Sequence, residues 1–148
     1  MYISGADFVA ERMEARNLTI RNDLQGINLS QTDLSGANFR EANLSGANLR
    51  NADLSGASLL GTNLKSADLT GCRIYGISAW DVQLENTIQE NLVITREDEP
   101  DITVDNLEVA QFVYLLLRHK KLRDVLNSII EKGVLLLGRF SNGRLDVL

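Results

Sequence analysis

The sequence predicts an all-β repeat solenoid: a right-handed, quadrilateral parallel β-helix with a short N-terminal helix and a C-terminal α-helical appendage. Three observations carry that expectation. Large apolar residues recur every five positions without a gap, as Leu24, Leu29, Leu34, Phe39, Leu44, Leu49, Leu54, Leu59, Leu64, Leu69 and Ile74. Two positions before most of them stands a small residue, such as Ala37, Ala42, Ala47, Ala52, Thr62, Ala67 or Cys72. The positions between and after are polar or glycine, so that residues 22–76 read as eleven consecutive five-residue repeats.

A large and a small residue spaced by two share one face of an extended segment, and the residues beside them face water. A period of five fits neither the 3.6 of a helix nor the period of a continuous strand, so the chain must turn after each short extended piece. Four right-angle turns close a coil of 20 residues, and coils stack at roughly 4.8 Å, the spacing of neighbouring strands. Right-handed winding follows the general preference of parallel crossovers. This stacking places Leu34, Leu54 and Ile74 in one column and Leu49 over Leu69 in another. Gly36, Gly56 and Gly76 form a column at a turn, where glycine permits positive φ. Glu41, Asn51 and Ser66 hold the same repeat position elsewhere, so not every turn needs glycine.

The sequences Ala-Asn-Leu-Ser-Gly, Ala-Asp-Leu-Ser-Gly and Ala-Asp-Leu-Thr-Gly resemble the signature of the pentapeptide-repeat family, and the resemblance covers residues 22–76. It implies the β-helix strongly and a function weakly, the family's members being mostly of unknown role.

Residues 1–21 are expected to be a helical cap. Ser4 with Asp7 reads as a capping box for a helix over about residues 5–15 that covers the top of the stack. After Gly76 the repeat decays, giving an irregular β-helical segment over 77–95, with Trp80 expected to plug the lower end. Residues 96–104, opening Arg96-Glu97-Asp98-Glu99-Pro100-Asp101, read as an acidic linker. In the appendage, residues 105–148, Asp105 with Glu108 reads as a capping box for a helix from Leu107 to Arg118. Leu122, Val125, Leu126, Ile129 and Ile130 form an apolar stripe on a second helix closed by Gly133. Val134 to Leu137 reads as an apolar strand. The tail from Ile77 to Phe140 resembles the connector that joins pentapeptide repeats to a larger α/β domain similar to Toll/interleukin-receptor domains. That resemblance implies a chain that stops where an effector domain begins.

Composition narrows the function classes. The 148 residues are 44% apolar but only 5% aromatic, which suits a repetitive aliphatic interior. The net charge is -5, of which the repeats hold -1, so no basic patch is expected for nucleic acid or an anionic membrane. With no signal-like start and no apolar run of about 20 residues, a cytoplasmic location without a membrane partner is expected.

Candidate chemistry is sparse. The outward Asn and Asp ladders, such as Asn28, Asn48 and Asp68, read as a solvated, turn-stabilising face, and the Gly-Gly-x-Gly-x-Asp repeat of calcium-binding β-rolls is absent. Cys72, the one cysteine, occupies an inward position and reads as a buried thiol. His119, the one histidine, sits between Arg118 and Lys120 at a helix end, where a cation complements the dipole. No catalytic residue, metal site or cofactor is therefore expected, and the chain reads as a non-catalytic interaction or scaffold module. Arg40, Arg50, Leu60 and Tyr75 depart from Ser and Gly at outward positions and are the expected contacts with a protein partner. Self-association as a homodimer through residues 105–148 is expected from the surplus of apolar surface there. Two alternatives are a targeting module for a C-terminal α/β effector domain and a DNA mimic that binds gyrase, as the resemblance implies for some members. The second is disfavoured by charge: a rod of about 13 Å would need roughly eight negative charges to match a duplex.

Overall fold

The computed structural model describes residues 23–140. The helix expected over 5–15, the first residue of the repeats and residues 141–148 lie outside the described residues. By its contacts the chain divides into two compact units, residues 1–114 and 115–148.

In the first unit the 20-residue coil is directly visible. Parallel bridges join residues 20 apart from Asp23↔Asn43 and Asn28↔Asn48 down to Asp68↔Ile88 and Arg73↔Val93. Backbone bonds of 2.7–3.0 Å run between coils, for example Leu49 N–H to Asp68 O and Asp68 N–H to Ala47 O. Each side contributes one bridging residue, the outward one, because a corner follows before a second pair can form. The expected all-β solenoid is thus built of single bridges rather than strands. The two strands among the described residues, β1 (Leu92–Val93) and β2 (Thr103–Val104), pair antiparallel beside the stack.

Every fifth residue from Gly26 to Asn91 has positive φ, between 54° and 72°. The N–H that follows each corner usually bonds the carbonyl three residues back, as Ala47 does to Leu44 at 3.0 Å, which with positive φ at the third residue makes a type II turn. The corners are therefore uniform although the sequence is not. Gln31, Glu41, Asn51, Ser66, Asp81, Asn86 and Asn91 adopt the left-handed conformation without being glycine. The same corners carry the coil through residues 77–95, where the repeat decays in sequence but not in backbone.

The core is the expected leucine stack: Leu29, Leu34, Phe39, Leu44, Leu54, Leu64 and Leu69 are wholly buried. Each such side chain contributes about 1.5–3 kcal/mol relative to exposure. After Gly76 the first face trades large for small, with Ile77 at the small position and Ala79 at the large one, and the last face fills both positions with large residues, Leu92 and Ile94, all four buried. Thr32 Oγ1 donates within its own turn to Leu29 O, whereas hydroxyls at the small position in later coils find a carbonyl 23 residues back. Thr62 Oγ1 donates to Phe39 O at 2.8 Å and Thr87 Oγ1 to Leu64 O at 2.7 Å.

The lower end is closed by helix α1 (Leu107–Arg118), not by Trp80, which is 54% exposed on an outward position. Leu107, Ala110 and Gln111 of α1 are buried. The last coil would expose unpaired N–H groups, and side chains take them: Gln111 Oε1 accepts from Ala79 at 2.6 Å and Asp105 Oδ1 from Asn91 at 2.8 Å. In return Gln89, polar at an inward position, accepts from Leu107 N–H at 2.8 Å. The helix cap is Asn106, whose Oδ1 accepts from Val109 N–H at 2.9 Å. Asp105, expected as the cap, is committed to the coil instead. The acidic segment is tied back as well, through Ile94 N–H to Ile102 O at 2.9 Å and Arg73 to Asp101 at 3.0 Å.

The second unit holds the end of α1 and helix α2 (Lys120–Phe140). Residues 134–137, expected as an apolar strand, are helical, and Gly133 lies inside α2 rather than closing it. A helix satisfies the backbone groups of such an apolar run within the segment itself.

Candidate functional site

The outward ladders are explained by the backbone. From Asp23 to Asp68, Asn and Asp side chains accept the N–H two residues on, at 2.8–3.2 Å, as Asn48 does from Arg50 and Asp68 from Thr70. These N–H groups fall just before a corner, where a short polar side chain can close a local turn. Among the described residues no group of three His, Cys, Asp or Glu gathers to hold a metal.

Cys72 is wholly buried, and its Sγ donates to Leu49 O at 2.8 Å. Burial pushes the thiol up to about 12, too high for a thiolate nucleophile at neutral pH. His119 is exposed at the junction of the two helices, its N–H bonded to Leu115 O at 3.0 Å.

The four candidate contacts part company. Arg50 pairs with Asp68 at 2.9 Å across neighbouring coils. Tyr75 packs edge-on to Tyr114, ring centres 5.2 Å apart, with the Arg96 guanidinium 5.6 Å from its own ring centre. Arg40 is exposed and Leu60 half-buried, and they stand one coil apart on the same side. Backbone bonds Glu41 N–H to Leu60 O and Gly61 N–H to Trp80 O, both 2.9 Å, continue that column to Trp80. Trp80 was missed as a surface residue because the decayed repeat hid its phase. Counting on in fives from Arg40 and Leu60 would have found it.

Residues 23–56 and 47–77 match the family model for pentapeptide repeats, in eight copies. The structure of alr5209, a pentapeptide repeat protein from Nostoc Pcc 7120, is similar at 28% identity, covering 72% of this chain and 92% of that one, with a TM-score of 0.54. A pentapeptide repeat protein from the cyanobacterium Cyanothece 51142 is 32% identical over 44% of this chain and 51% of its own, with a TM-score of 0.35. HetL of Nostoc sp. strain PCC 7120, a pentapeptide repeat protein involved in heterocyst differentiation regulation, is 30% identical over 53% of this chain and 40% of its own, with a TM-score of 0.22. No curated protein matches in sequence. Over residues 23–77 the family match, the five-residue period and the 20-residue coil coincide, and this stretch is a run of pentapeptide repeats.

Proposed function

We propose that the chain is a non-catalytic protein-interaction module of a bacterial cytoplasmic protein, a right-handed quadrilateral β-helix that meets a protein partner on the column Arg40, Leu60 and Trp80. The observation that carries this reading is Trp80. A large aromatic ring, 54% exposed, stands where the repeats favour Ser, and it continues the line of an aliphatic and a cationic residue. Tryptophan and arginine are the residue types that dominate binding energy at protein interfaces. Arg50 and Tyr75, already engaged within the chain, take second place. Right-handed winding follows from the handedness of parallel crossovers, and the cyanobacterial source of alr5209 supports a bacterial origin.

A photo-crosslinking residue placed at Leu60, and separately at Ser45 on another side of the coil, tests the proposal in cells of the source organism. A discrete adduct from position 60 that position 45 does not give, and that Trp80→Ala abolishes, is the expected result. Equal adducts from both positions, or none from either, would refute it.

A further inference from the structure

The second unit has a charge of its own. Residues 115–148 carry seven bases and three acids, a net +4, whereas residues 1–114 carry eight bases and seventeen acids, a net -9. Sums over longer stretches hide this basic segment, which stands against the expectation of no basic patch. Lys120, Lys121 and Arg123 lie within four residues at the start of α2, separated from Arg118 by His119 alone, and all four bases are exposed.

Their placement around the helix matters more than their number. At 100° per residue Leu122, Val125, Leu126, Ile129 and Ile130 share one face of α2. Four of them are strongly exposed: Leu122 at 44%, Val125 at 57%, Ile129 at 60% and Ile130 at 55%. Lys121 and Lys132 border that face on one side and Arg123 on the other, each about 90–110° from its centre. Asp124 and Glu131, the acids of the described part of this unit, lie nearly opposite. A second copy of α2 laid on this face would bring the bordering lysines and arginines of both helices together, whereas paired helices set acids against bases there. An anionic surface accepts all three bases; Arg123, one of whose guanidinium nitrogens donates to Leu117 O at 3.1 Å, keeps its other donors for it.

We propose that α2 lies in the plane of an anionic lipid surface, with Leu122, Val125, Ile129 and Ile130 among the acyl chains and Lys121, Arg123 and Lys132 at the phosphates. An aliphatic face with basic borders and acids on the far side is the pattern of an interfacial helix. No helix among the described residues is long and apolar enough to cross a membrane, so α2 lies on the surface rather than spanning it. The proposal is independent of the outward column of the β-helix.

Flotation of the full chain with vesicles tests it. The chain is expected to float with phosphatidylglycerol vesicles and to stay behind with phosphatidylcholine. Each base near the surface is worth about a fivefold change in partition, so the double variant Lys121→Gln, Arg123→Gln should bind roughly 25-fold more weakly. Ile129→Asp should abolish flotation. Because these residues are exposed, each variant should keep the helix content of the parent chain, read by circular dichroism, while the thermal melt reports that the β-helix is intact. Equal partition to both lipids, or none to either, overturns the proposal. So does a dimer in sedimentation that Ile129→Asp returns to monomer, since a second copy would then occupy the face.

Discussion

Exchanging the residue type at two corners should change stability in opposite directions. Gly56 has φ +66°, and a Cβ added there would meet nothing closer than Gly36 N at 3.9 Å, an ordinary contact. Gly56→Ala therefore introduces no clash, and its native-state cost is the left-handed conformation alone, about 1–2 kcal/mol. Alanine also restricts the unfolded chain, which returns about 0.4–1 kcal/mol. A net loss of about 1 kcal/mol remains. Ser66 occupies the equivalent corner at φ 58°, so Ser66→Gly should gain a similar amount. For a chain of this size that is roughly 2–4 °C in melting temperature, down for the first and up for the second. Thermal and urea unfolding followed by circular dichroism would measure both. A neutral Gly56→Ala together with a destabilising Ser66→Gly would show that the corners are not left-handed and that the turn assignment fails.

The inward leucines should carry the stability: Leu54→Ala, at a wholly buried site in the Leu34 column, is expected to cost about 2–5 kcal/mol. Ser45→Ala, outside the stack, should stay within about 0.5 kcal/mol in the same melts. Gln111→Leu leaves the buried N–H of Ala79 without its acceptor and should cost about 1–3 kcal/mol, read as a lower urea midpoint. Cys72 should resist a thiol reagent until the chain unfolds. Its folded pKa of about 12 lies above the ordinary thiol value of 9.0, so its stability contribution is complete below pH 9 and is lost as pH rises toward 12. Cys72→Ala should show a correspondingly shallower loss of stability over that range.

The period of five was enough to read the coil length, the inward leucines and the turn positions, because one small unit repeats its own packing problem. Where the repeat decays, backbone and side chain part company. Asp81, Asn86 and Asn91 keep the corners, since Asn and Asp tolerate the left-handed region better than most residues, yet no glycine marks them. Gln89 and Gln111 look like ordinary polar residues until the last coil's unpaired groups are set beside them. The cap moved from Asp105 to Asn106 for the same reason: a distant N–H competed for the carboxylate. The apolar run over 134–137 could not be assigned from its pattern, since four buried-type residues suit a strand and a helix alike.

Coils that join residues 20 apart also set the unit in which this protein can change length. Inserting one five-residue repeat between Arg40 and Leu60 would turn everything that follows by a quarter revolution. Each corner would survive, but Arg40 would no longer stand in line with Leu60 and Trp80. An insertion of four repeats, a whole coil, would restore every column and lengthen the stack by about 4.8 Å. It would leave the closing contact between Gln111 and Ala79 untouched, since both lie beyond the insertion. Single-repeat changes are therefore compatible with folding but not with a shared outer surface, whereas whole-coil changes are compatible with both.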